Sequence, residues 1–173
     1  SMSGTDPQVY ATLKNTRRVW AVGAVHGEVA KLRALHAELR GRLETGDQLV
    51  YLGNVLGHGP DPAAAADEII AYRREFLARP GTFANDHVVL RGSQEEMWRK
   101  LNQIQFAPAP AEVLDWMLAH GVDATLAAYG IDVHDGKGCC REGAVAITRW
   151  TAGIAAAVRA RAGHDDLTAA LRR

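Results

Sequence analysis

At 173 residues the chain suits one compact domain with a full-sized core. Apolar residues make up 47% and charged residues 23%; Lys+Arg and Asp+Glu both number 20, so formal net charge is zero. That balance argues against a strongly basic binder of nucleic acid or anionic membrane, and no apolar stretch approaches the roughly 18 residues that span a bilayer.

Residues 1–16 read as an N-terminal extension, with Ser1 before Met2 an expression remnant. Ser1–Pro7 has neither the basic nor the apolar region of a secretory signal, so a cytoplasmic location is expected. Three short runs then read as buried parallel strands: Arg18–Val22, Gln48–Leu52 and His87–Arg91, each followed by a glycine. Glu28–Leu43 carries Val29, Leu32, Leu35, His36, Leu39 and Leu43 at helical spacing. A second helix is expected over Ala63–Leu77, with Pro62 in its first turn and Asp61 as N-cap.

Residues 17–92 thus predict an α/β core, a small parallel sheet flanked by helices with right-handed crossovers. Residues 93–173 read as mainly helical: Gln94–Gln105, Ala111–Ala119, Asp123–Tyr129, Ala144–Arg161 and Asp165–Arg172. Breaks are expected at Ala107–Pro110, at Gly121 and across Gly130–Gly143, with Gly136-Lys137-Gly138 as a mobile loop. Cys139 and Cys140 are adjacent, too close for an unstrained disulfide, and read as two reduced thiols in or beside that loop.

Ligands of parallel sheets bind beyond the carboxyl ends of the strands. The loops Gly23–Gly27, Gly53–Asp61 and Gly92–Glu96 should therefore share one edge. They read Gly23-Ala24-Val25-His26-Gly27, then Gly53-Asn54-Val55-Leu56-Gly57-His58-Gly59-Pro60, then Arg91-Gly92-Ser93-Gln94-Glu95. In order and glycine frame these blocks resemble the calcineurin-like metallophosphoesterases, more narrowly the bacterial and phage-lambda-type serine/threonine protein phosphatases. Those enzymes carry G-D-x-H-G, G-D-x-x-D-R-G and R-G-N-H-E. Two later segments, Trp116–Gly130 and His164–Leu171, are similar to downstream family elements.

The resemblance implies the first half of a metallophosphoesterase sandwich, but a changed chemistry. Hard cations in a two-metal site need charged oxygen ligands. The first Asp falls on Ala24, the metal-bridging Asp on Asn54, the Asp and Arg of D-R-G on Gly57 and His58, and the Asn and His of the third block on Ser93 and Gln94. Asp47 matches a structural turn residue. His26 and Arg91 are kept, and the family's remaining metal histidines would lie beyond Arg173.

The expectation is a degenerate, non-catalytic pseudophosphatase with no metal or cofactor. His26, Asn54, His58, Arg91, Ser93 and Gln94 form its remnant pocket, open to an anion or phosphorylated partner. One sheet face would be covered by the C-terminal helices, a second copy or a protein partner. Two other readings stand beside this one. One is an active phosphoesterase with a reduced metal site. The other is a nucleic-acid-associated regulator using Arg159, Arg161, Arg172 and Arg173, which the neutral charge disfavours. Glu95 and Glu96 are expected to complement a helix dipole from its first turn.

Overall fold

The computed structural model describes residues 18–170, with no side-chain description for 168–170. It is an α/β fold. Its strands are β1 (Val19–Val22), β2 (Gln48–Tyr51) and β3 (His87–Val89), parallel and in the order β1-β2-β3. Val19 stands opposite Gln48, and Leu49 opposite His87. The crossovers are α1 (Val29–Arg40) and α2 (Pro62–Leu77). As the sequence implies, Pro62 opens α2, and the Asp61 side chain caps it by accepting from the Ala64 N–H at 2.9 Å.

Successive strand residues point to opposite faces. Val22, Leu49, Tyr51 and Val89 face α1 and α2 and form one core with Leu32, Leu39, Ile69, Tyr72 and Phe76. Asp47 anchors the start of this sheet. It is 1% exposed and accepts from Arg18 Nη2 at 2.8 Å, Trp20 Nε1 at 3.0 Å and the Glu44 N–H at 2.9 Å. Burial alone would raise its carboxyl; the bonds from Arg18, Glu44 and Trp20 outweigh it and hold the group below the usual carboxylate range.

The helical half comprises α3 (Ser93–Leu101), α4 (Pro110–Met117), α5 (Asp123–Ala128), α6 (Val133–Glu142), α7 (Ala144–Arg159) and α8 (His164–Ala170). A second core joins Met97, Trp98, Leu101, Leu114, Leu126, Ile147 and Ile154. These helices pack among themselves, and α5 and α8 pack against α2. The rim of the opposite sheet face is open to solvent. There Val19 is 46% and Leu52 54% exposed, and Ala21 is exposed, while Val50 and Val88 at the centre are buried.

The expected loop over Gly136–Gly138 is instead the middle of α6. Two features override the glycines. The Asp132 side chain caps the helix, accepting from the His134 N–H at 2.8 Å. Gly136 lies under the Trp150 ring of α7, where a Cβ would overlap the indole. The glycine is thus a packing residue and not a breaker, and Cys139 and Cys140 are half-buried helix residues. Other boundaries shift by a few residues; Leu52 and Arg91 lie just past their strands, and predicted helix residues beyond Ala170 fall outside the described residues.

The two α6 glycines give opposite expectations. Gly138→Ala meets nothing closer than Arg141 Nη2 at 3.8 Å and gains helix propensity, stabilising by about 0.5–1 kcal/mol. Gly136→Ala drives a methyl into Trp150 and destabilises by roughly 1–3 kcal/mol. Urea unfolding of both variants measures the contrast.

Two core histidines set the acid response. His36 is fully buried between Glu68 (Nδ1 to Oε1, 2.8 Å) and the Tyr51 hydroxyl (Nε2 to O, 2.7 Å). Burial pushes its pKa down against the upward pull of Glu68. Burial, and then Arg73, push His87 down to about 3. For a depressed histidine the stabilising contribution is complete above the ordinary pKa of about 6.5 and is lost as pH falls below it. Stability should therefore fall between pH 6.5 and 5, by at most about 1.4 kcal/mol per pH unit per histidine. In His87→Phe that slope should be shallower when denaturant midpoints are followed with pH.

Candidate functional site

The three post-strand loops do meet at one edge, and backbone bonds weld them. The Asn54 carbonyl accepts from the Val25 N–H at 3.1 Å and the His26 N–H at 2.7 Å. The Gly27 N–H donates to the Val55 carbonyl at 2.9 Å, and the Asp61 N–H to the Gly27 carbonyl at 3.1 Å. Gly59 passes so close to His26 that a Cβ would overlap the His26 carbonyl. His26, Asn54 and His58 all adopt left-handed backbone, with φ of 48°, 54° and 55°. Such non-glycine residues are uncommon, and they cluster where a site holds strain for a reason.

The side chains of Asn54 and Gln94 turn inward. Asn54 Oδ1 accepts from the Gln94 N–H at 2.9 Å and from Ser93 Oγ at 3.3 Å. Gln94 is 4% exposed and donates Nε2 to the His120 carbonyl at 2.6 Å. Its Oε1 is enclosed without a partner, against Gly57. Gly57 donates its N–H to Thr125 Oγ1 of α5 at 2.9 Å, and His58 its N–H to the Gly121 carbonyl at 3.1 Å. The second loop is therefore fastened to the helical half as well as to the first loop.

Glu95 does more than face a helix dipole. It is 3% exposed and accepts from the N–H groups of Asn54 (2.6 Å), Gly92 (3.1 Å) and Leu56 (3.2 Å). Burial pushes its carboxyl up, and those backbone donors pull it part of the way back. The signal in the sequence was Gly92-x-x-Glu95, a capping spacing whose reach into the second loop no local pattern encodes. Glu96, in contrast, is a partly exposed ion-pair residue, with Arg99 Nη2 at 2.6 Å and Arg91 Nη1 at 3.4 Å.

Of the six sequence-predicted pocket residues, five come together: His26, Asn54, His58, Ser93 and Gln94. Arg91 turns instead to Glu96. Ala24 is exposed and lines a shallow depression of about 410 Å³ with His26, Glu28, Lys31, Leu32 and Leu35. The His26 and His58 rings lie edge to face, 5.3 Å between centres. Among the described residues no three His, Cys, Asp or Glu side chains converge as metal ligands. Arg161 pairs with Asp67 at 2.5 Å, while Arg159 is exposed; Arg172 and Arg173 lie outside the described residues.

A family's metal pair therefore does not fit these residues. Ala24 offers no donor atom, and the Asn54 oxygen already accepts two protein hydrogen bonds. The Glu95 carboxylate sits over backbone donors of Asn54, Leu56 and Gly92.

No protein-family model matches the chain, and no solved structure matches it. Over 88 residues, half of the chain, it is 33% identical to phosphoenolpyruvate carboxylase 2 of Zea mays, of which that stretch spans 9%. So small a share of the maize enzyme carries none of its activity across.

The neutrality of Asn54 can be tested directly. An aspartate keeps the left-handed backbone but places a second carboxylate beside buried Glu95. Asn54→Asp should destabilise by roughly 1–3 kcal/mol at pH 7 and by less near pH 4, since like charges raise the carboxyl pKa and the penalty grows with ionisation. Denaturant unfolding at the two pH values reads it.

Proposed function

We propose that the chain is a pseudophosphatase: a non-catalytic relative of the calcineurin-like metallophosphoesterases that serves as a regulatory or protein-interaction module. One observation carries the reading. At the position where such enzymes bridge two metals, Asn54 spends its side-chain oxygen on the N–H of buried Gln94 and on the exposed Ser93 hydroxyl. Water activation and phosphoryl stabilisation need open ligand positions and fixed positive charge. Here Ala24 offers no ligand atom, the Asn54 oxygen is engaged within the protein, and Arg91 pairs with Glu96.

The loop frame and the three left-handed residues support descent from a catalytic edge that has become a structural one. His26, His58 and the Ala24 depression remain the accessible parts, where an anion or phosphorylated partner would dock. The apolar rim of Val19, Ala21 and Leu52 supports a protein partner on the sheet's other face. No described helix is long and apolar enough to cross a membrane.

The decisive assay is phosphoester turnover with Mn²⁺. The expected outcome is no turnover above buffer, in the parent chain and in Ala24→Asp alike. Metal-dependent turnover that disappears in His26→Ala would overturn the reading and restore the reduced-site phosphoesterase. For the interface, Leu52→Glu should abolish partner or self-association in sedimentation without lowering the melting temperature.

A further inference from the structure

We propose that the chain's own segment Gln8-Val9-Tyr10-Ala11-Thr12-Leu13 docks as a strap across the middle of the sheet face opposite α1 and α2. Strand pairing lays that face out in rows: Val19 stands beside Gln48, and Ala21 beside Val50 and then Val88. Exposure along the rows is uneven. Val19 and Ala21 on β1 are exposed, whereas Gln48 is 1%, Val50 8% and Val88 7% exposed. These are the exposures of a single chain, so the chain itself supplies the cover. Val50 and Val88 belong to neither hydrophobic core and so lie outside the packing of α1, α2 and the helical half.

The Gln48 side chain is a second, polar mark of that cover. Its Nε2 donates to Asp86 Oδ1 at 3.2 Å, while its Oε1 is enclosed with no partner among the described residues. A backbone N–H of an extended segment lying on the face would satisfy that oxygen. Two stretches of chain lie outside the described residues. Residues 171–173 follow α8, which packs on α2 at the other face. Residues 1–17 lead straight into β1 at Arg18.

The reach is sufficient. Five residue steps separate Leu13 from Arg18, about 17 Å at full extension. A segment packed on a sheet lies about 10 Å above it, and β2 and β3 lie about 5–10 Å across from β1, so about 11–14 Å must be bridged. In an extended segment Val9, Ala11 and Leu13 share one side and Tyr10 and Thr12 the other, which gives Val50 and Val88 an apolar partner. The strap narrows the partner surface proposed above to the rim of Val19, Ala21 and Leu52. It does not depend on the pseudophosphatase reading: turnover would overturn that reading and leave the strap in place.

The test is paramagnetic broadening in the full chain, with a nitroxide on Ala21→Cys in a Cys139→Ser, Cys140→Ser background. The expected result is loss of the Val9–Leu13 amide signals and their return once the nitroxide is reduced. A nitroxide on Glu38→Cys, at an exposed position of α1, should leave them sharp. So should a mixture of nitroxide-bearing chains with isotope-labelled chains that carry none. Val9→Asp with Leu13→Asp should restore the signals beside the Ala21→Cys nitroxide, in a chain whose other amide shifts show the sheet intact. Val9–Leu13 signals that ignore the Ala21→Cys nitroxide, or that are still lost in the double aspartate variant, would overturn the strap. Loss in the mixed sample would give the face to a second copy and overturn it equally.

Discussion

The edge of this sheet depends on the Glu95 carboxylate. Buried at the start of α3, it gathers N–H groups from its own helix turn and from the loop after β2. A charged acceptor shared among backbone donors is a strong arrangement, and losing it would leave several buried donors unsatisfied at about 1–3 kcal/mol each. Asn54 stands at the centre of what Glu95 fixes. Its N–H goes to Glu95, its carbonyl to the first loop, and its side-chain oxygen to the third. The three loops are thus organised around one neutral amide and one carboxylate.

A second polar device joins the two halves of the molecule. Adjacent residues of α2, Asp67 and Glu68, each hold a buried histidine that in turn meets a tyrosine. Glu68 holds His36 and Tyr51 on the sheet side. Asp67 holds His164, whose Nδ1 meets the Tyr129 hydroxyl at 2.5 Å. Burial raises the pKa of both tyrosines. Buried polar chains of this kind specify one arrangement because each member needs its partner. The Asp67 chain places α8 and the end of α5 against α2, and the Glu68 chain ties α1 to α2 and β2.

The strands, α1 and α2 were legible because their signals are local: continuous apolar runs, helical spacing, Asp61 and Pro62. The convergence of the three loops followed from parallel topology alone. What stayed hidden was long-range. Glu95 reads as an ordinary first-turn acid until the second loop is placed over it. His36 and His164 look like members of a helix face, since nothing near them in sequence names Glu68 or Asp67. The loop expected across α6 came from counting glycines, whereas Gly136 is small because Trp150 needs the space. That Ala24 offers no ligand atom was visible at once; the inward turn of Asn54 and Gln94 was not.

Amide hydrogen exchange tests the central claim most directly, because it reads the weld between the loops and not its consequences. If Glu95 and Asn54 close this edge, the amides of Val25, His26, Asn54, Leu56 and Gln94 should exchange as slowly as those of β2, through global unfolding. Fast exchange at these amides beside a protected β2 would show an open loop edge and contradict the account.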